Sequence, residues 1–420
     1  MNLLSAIFTI KELKNKFLFV ILILAIYRFG SHVPISGVDM TAIESLFNQN
    51  GILGFFNLFS GGGLSRFSIF ALGILPFINA SIIMQLLTII WPQIKQLAEE
   101  GESGRKQIAQ FTRYLAIILS FVQSIVMALS FSPFLKQGTS FSFFLVYAVI
   151  ALVAGAAIVM WLGELITQYG IGNGASILIF IGIISELPIY IKNTIVIVQA
   201  GTSLLNVFAL ILVFLLMIIS IVYVQEAERK IKVQYARRVV GRKLMGAQNT
   251  FIPLRLIQGG VMPIIFASAL LQFPLMLSQY LGIDTVENFF AVYYKYDGFI
   301  YNSFFCFLIF FFTYFYTAIT FNPKDLADNI KKHGGFIMGV RPGIQTEKYL
   351  EKIISRLTLI GASFLAIFAL IPVLAAKVTK VSSFMGLGGT ALLIIVGVAI
   401  DLVRQVETYA INKQYEGAIS

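Results

Sequence analysis

Ten stretches of apolar residues divide this chain, at about 17–30, 67–91, 110–131, 143–162, 174–191, 206–225, 256–279, 301–320, 357–376 and 388–409. Their length limits what they can become. About 20 apolar residues cross a bilayer core as a helix, whereas a barrel strand needs only about ten. In hydrocarbon every backbone N–H and C=O must find a partner inside the protein, and a helix supplies one within the segment itself. The sequence therefore predicts an all-α integral membrane protein with ten transmembrane helices. Composition agrees, since 58% of the 420 residues are hydrophobic and 12% charged, against roughly half and a quarter in soluble domains. KNKFLFVILILAIY near the start has a basic flank and an apolar core but no small-x-small cleavage site, so it reads as a retained first span.

An even number of spans puts both termini on one side. Alternating loops place roughly 24 of the 31 Lys and Arg on that side, which the positive-inside rule makes cytoplasmic. Two loops there stand out, at about 226–255 and 321–356. EAERKIKVQYARRVVGRKLMGAQNT carries Arg229, Lys230, Lys232, Arg237, Arg238, Arg242 and Lys243; the second carries Lys331, Lys332 and Arg341 among the turn formers Gly334, Gly335, Gly339, Pro342 and Gly343. Neither loop is apolar enough to fold alone. The net charge of +11 either serves topology only or docks an acidic protein face or RNA phosphates. KVQYARRVV, with basic and apolar residues interleaved, predicts a short strand or extended arm. Residues 1–195 and 196–420 each hold five spans, in opposite orientation. That plan places a central path between two halves.

Enzyme constellations are missing from the sequence. HExxH and GxSxG do not occur, and GESGRK lacks the Ser or Thr that follows the lysine of a phosphate-binding loop. The only histidines, His32 and His333, fall in loops, and the single cysteine, Cys306, has no partner for a disulfide or a thiolate metal site. No catalytic residue, metal site or cofactor is therefore assigned. Glu164 and Asp401, near the cytoplasmic ends of spans four and ten, read as capping or packing groups rather than proton relays.

FSGGGLSRFSIFALGILPFINASIIMQLL, residues 59–87, is anomalous for a lipid-facing helix, with three glycines and an arginine at its start and Pro76 and Asn79 in its apolar middle. It resembles the plug and second span of the SecY/Sec61-alpha family. WLGELITQYGIGNGASILIFIGI resembles the end of that family's fourth span and its fifth, FNPKDLADNIKKHGGFIMGVRPGIQTEKYLEKIISRLT its eighth-to-ninth cytoplasmic loop, and MGLGGTALLIIVGVAIDLVRQVET its tenth span. The motifs run in family order along nearly the whole chain.

The resemblance implies the channel subunit of a protein translocase: ten helices in two pseudo-symmetric halves around a central pore, with a re-entrant plug helix at about 55–64. Phe59 and Arg66 would belong to the plug region, and Gly61, Gly62 and Gly63 would be its pliable joint. The family's pore ring maps onto Ile74, Ile78, Ala175, Ile179, Ile265 and Ile394, where Ala175 departs from the bulky residue often found. Lateral-gate positions are Asn79, Gln85 and Thr88 in the second span, Gln123 in the third, and Gln258, Ser268 and Gln272 in the seventh, expected to exchange weak interhelical hydrogen bonds. The docking arms for a ribosome or the SecA ATPase would present Arg229, Lys230, Arg237, Arg238, Arg242, Lys243, Lys331, Lys332 and Arg341. Implied partners are SecE, SecG, SecA, the ribosome, unfolded preproteins and membrane lipids. QEAERKI, from Gln225, and the short tail after Lys413 resemble cyanobacterial and plastid members, and the abundance of Phe, Ile, Lys and Asn suggests an AT-rich genome. A plastid thylakoid membrane with stromal termini is expected, with a bacterial or cyanobacterial inner membrane as the alternative. From another functional class, a secondary transporter of a small neutral solute would use the broken helix at Gly61 to Gly63 as its substrate site.

Overall fold

The structure, a computed structural model, describes residues 10–40, 43, 57–138, 140–199, 203–235, 239–240, 243–244, 249–281, 298–379 and 388–419. Each of the ten apolar runs overlaps a helix. In chain order these are α1 (Lys11–Gly30), α2 (Leu75–Ile90), the short α3 (Pro92–Glu99), α4 (Glu102–Ser130), α5 (Phe141–Tyr169), α6 (Gly174–Gln199), α7 (Leu204–Glu226), α8 (Met262–Leu281), α9 (Phe299–Thr320), the short α10 (Pro323–Lys332), α11 (Ile344–Thr379) and α12 (Gly388–Ile419). Among the described residues seven helical stretches are long and apolar enough to cross a membrane, or eight if α2 and α3, bent by 99° before Pro92, count as one span. Outward faces are apolar: Leu204, Leu205, Phe208, Leu216, Ile219 and Tyr223 on α7 are all exposed, the inverse of a helix that faces water.

Contacts sort the helices. α1, α2, α4, α5 and α6 pack against one another, as do α7, α8, α9, α11 and α12. The two groups meet along two seams, α2 and α4 against α8, and α6 against α12 and α7.

The second apolar run is shorter as a helix than expected. Instead of spanning 67–91, helix begins only at Leu75, and residues 60–74 form a chain of tight turns after a helical turn at 57–59. The reason is local: Gly61, Gly62 and Gly73 hold φ of 62°, 81° and 56°, in the left-handed region that breaks a right-handed helix. The turns satisfy their own backbone. Gly62 N–H reaches Asn57 O at 2.9 Å, Ser68 N–H reaches Gly63 O at 2.8 Å, and Ile69 N–H reaches Val33 O at 3.0 Å. Phe67, at φ 43°, anchors the segment with its ring between those of Phe131 and Phe144, at centroid distances of 4.9 and 5.9 Å.

At the opposite end, the two basic loops fold together. β1 (Glu228–Tyr235) pairs antiparallel on one edge with β4 (Asn249–Arg255) and on the other with β5 (Gly335–Ile337); β2 (Val239–Val240) and β3 (Lys243–Leu244) make a separate ribbon. The predicted strand thus exists, and it joins the first loop to the second. Ile231 and Val233 turn inward against Ile330, Leu350 and Ile354 of α10 and α11, while Lys230 and Lys232 face out. The period of two along β1 explains how a highly charged loop still contributes a core.

One glycine shows how closely the turn segment is gripped. A side chain at Gly155 on α5 would run into the Ile69 carbonyl oxygen. Gly155→Val is expected to lower stability by ~1–3 kcal/mol through overpacking, against little change for Ile158→Val on the exposed face of α5, measured as the thermal midpoint of the purified complex.

Candidate functional site

The residues assigned to a pore ring come from four helices and belong to one extended apolar cluster. Ile74 caps α2 and Ile78 lies one turn on, a spacing that puts both on one face. Ile179 comes from α6, Ile265 from α8 and Ile394 from α12. These five isoleucines are buried in a single apolar cluster, with Ala175 half-buried at its margin. Leu58 and Phe59, from the turn preceding the glycines, belong to the same cluster. As the resemblance assigns them, these residues would form a collar of aliphatic side chains with no charged group among them.

The glycine segment sits against that collar. Gly61 lies beside Gly182 of α6, whose absent side chain admits the Leu58 carbonyl. Gly182 is roughly 12 Å along α6 from its start, so irregular backbone lies well inside the bundle. Such backbone is tolerated at membrane depth only against protein or water. Phe59, Gly61, Gly62 and Gly63 are buried and Arg66 is half-buried, its Nη1 donating to His32 Nε2 at 2.8 Å. Residues 55 and 56 of the expected plug lie outside the described residues.

Sequence reasoning missed what holds this segment. Arg28, at the end of α1, donates from Nη1 to Gly61 O at 2.6 Å and to Ser185 Oγ of α6 at 2.9 Å. Glu186, also on α6, is 3% exposed and touches Gly62. The signal was present as a lone acidic residue inside an apolar run, and the sequence reading did not single it out. Glu164 does serve packing, accepting from Arg113 Nε of α4 at 2.6 Å.

The residues assigned to a lateral gate lie on or next to α2, α4 and α8, whose contacts form one seam, and the hydrogen bonding of four of them differs from expectation. Thr88 Oγ1 donates to Met84 O at 2.8 Å, Ser268 Oγ to Ile265 O at 2.8 Å, Gln85 Nε2 to Ser81 Oγ at 3.2 Å and Gln258 Nε2 to Arg255 O at 3.2 Å. All four bonds stay within one helix or turn. Hydroxyls in a helix find the carbonyl three or four residues back before they find a neighbour, so apolar side chains carry the seam. Asn79 is half-buried and Gln123 buried; the Gln272 side chain lies outside the described residues.

On the sheet end, Arg229, Lys230, Lys331, Lys332 and Arg341 are all exposed. Arg237, Arg238 and Arg242, and the side chain of Lys243, lie outside the described residues.

Comparison with known proteins now decides the family. A family profile described as SecY matches residues 68–403. The chain belongs to the SecY family. Its relatives include the protein translocase subunit SecY of Thermotoga maritima, 41% identical over 98% of this chain and 96% of the relative, and that of Synechocystis sp., 44% identical over 97% and 94%. Among solved structures, a protein-conducting channel superposes with a TM-score of 0.66 at 19% identity, covering 94% of this chain and 91% of the other. The likeness is one of fold at that identity. None of these relatives favours the solute-transporter alternative for this SecY-family chain.

Val233 tests the junction of the two loops, because it is fully buried and pairs with Thr250 on one edge and Ile337 on the other. Val233→Asp is expected to cost at least ~2 kcal/mol locally by burying a carboxylate, seen as faster amide hydrogen exchange in both β1 and β5.

Proposed function

We propose that this chain is the pore-forming subunit of a Sec translocase, conducting unfolded preproteins across a membrane and releasing apolar segments sideways into lipid. The observation that carries the reading is the convergence of Ile74, Ile78, Ile179, Ile265 and Ile394 on one apolar cluster against the glycine segment. An extended polypeptide in hydrocarbon leaves amides unpaired at several kcal/mol each, so its crossing demands an aqueous path. An apolar collar suits that path. It seats around varied side chains without selecting a sequence, and when empty it resists wetting and ion flow.

In this reading ten spans form two halves, 1–195 and 196–420, and residues 55–64 are the plug that reinforces the closed collar, with Gly61 to Gly63 as its joint and Arg66 in the outer funnel. The α2/α4–α8 seam is the lateral gate. Because Gln85, Thr88 and Ser268 bond within their own helices, opening leaves those bonds intact and exchanges apolar contacts, and a passenger helix replaces that burial with lipid at roughly 25 cal/mol per Å². SecE and SecG complete the complex. The sheet end, with Arg229, Lys230, Lys331, Lys332 and Arg341 exposed, faces the cytoplasm or stroma together with both termini and receives SecA or a ribosome. The positive-inside charge distribution supports this orientation. QEAERKI and the AT-rich amino-acid usage support a thylakoid membrane.

Photocrosslinkers at Ile78, Ile265 and Ile394 are expected to capture a preprotein stalled halfway across membranes containing SecE and SecA, while a probe at exposed Leu216 on α7 captures lipid only. Translocation without any crosslink from the three collar positions would exclude them as the conduit.

Ile78→Asn and Ile265→Asn place an amide in the collar and weaken its seal. Both are expected to raise resting ion leak and export of signal-defective preproteins; the checks are conductance in planar bilayers and a protease-protection export assay.

A further inference from the structure

Glu186 poses a physical problem that the apolar collar does not answer. Its carboxylate is buried inside the bundle, and Oε1 has no hydrogen-bond partner among the described residues. A buried carboxylate without compensation is costly, and removal of a compensating cation is costlier still. Two cations reach it through space, Arg66 from the glycine segment and Arg28 from α1. They sit on different elements.

Arg28 also bridges three elements at once, since its Nη1 bonds both the Gly61 carbonyl and Ser185 next to Glu186. Gly62, at φ 81°, lies against Glu186 Oε1 so closely that any side chain there would collide with it. Arg66 is steered by its bond to His32, two residues beyond the end of α1. Seated, the segment brings one of the two cations to Glu186 and one acceptor to Arg28. Displaced, it takes both away, leaving an anion in an apolar setting with a single cation.

We propose that Glu186 and Arg28 are positioning residues that latch the glycine segment in its seated place and set the ratio of closed to displaced states. The proposal rests on the channel reading above. Apolar burial of Leu58 and Phe59 favours the seated segment; the Glu186–Arg28–Arg66 group adds a polar term on top of it.

The experiment uses the reconstituted complex with its SecE partner in proteoliposomes. Glu186→Gln keeps the size and removes the charge, so packing alone predicts no change. The latch predicts about a tenfold rise in resting ion leak. It also predicts a matching rise in labelling of a cysteine placed at Ser65, in a Cys306→Ser background, by a membrane-impermeant thiol reagent. Arg28→Lys, which keeps the charge but loses the fork, is expected to move both readouts in the same direction by less. Unchanged leak and labelling in Glu186→Gln would overturn the proposal. Failure of both variants to assemble would also overturn it, by making the pair a folding requirement. Preprotein transport by the unaltered complex separates the two levels: its absence would sink the channel reading, while the Ser65 labelling still reports on the latch.

Discussion

An unpaired backbone amide in hydrocarbon costs several kcal/mol, and the whole architecture answers to that cost. It makes the apolar runs helical, and it makes the exceptions informative. Residues 60–74 abandon the helix deep in the bundle, yet their amides are met by turns among themselves and by the strand-like residues Val33 and Ile35. The same cost that shapes the protein is the one a translocated chain would meet. A chain that cannot fold in lipid needs a path whose walls make no demand on its amides, and a collar of isoleucines makes none.

The collar and the segment beside it depend on small residues as much as on large ones. Gly182 allows the Leu58 carbonyl to approach α6, and Gly155 allows the Ile69 carbonyl to approach α5. Apolar contact then supplies most of the attraction, through a cluster that runs without interruption from Leu58 and Phe59 to Ile394. Charge reaches the glycine segment through Arg28, Arg66 and Glu186, which lie around Gly61 and Gly62. A buried carboxylate loses its compensation when a cation moves away, so these groups add positional information to that of the packing.

At the sheet end the logic reverses. Here backbone partners come from another loop rather than from the same helix, and β1 accepts β4 on one edge and β5 on the other. Two charged loops separated by about 65 residues of helix and connection become one sheet. Exposed lysines and arginines gain a fixed geometry from it, which a solvated tail would lack.

Much of this was legible in the chain. The length of the apolar runs predicted an all-α membrane protein, seven or eight of whose described helical stretches are long and apolar enough to span; the basic residues marked the two loops, and the motif around Gly61 to Gly63 announced broken backbone. Positive φ at Gly61, Gly62 and Gly73 explains why the second run became helical only at Leu75. The collar assignment rests on family resemblance, since no sequence pattern distinguishes Ile394 from a lipid-facing isoleucine. Three features needed the fold. The pairing of β1 with β5 joins residues about a hundred positions apart; the gate polar groups chose their own helices over the neighbour; and Glu186 met two arginines from distant segments. Sequence determines what a segment must do alone in lipid, because backbone pairing and side-chain transfer are local costs. Which charge faces which, and which isoleucine faces another, are decided only when the helices come together, because those energies belong to pairs and not to residues.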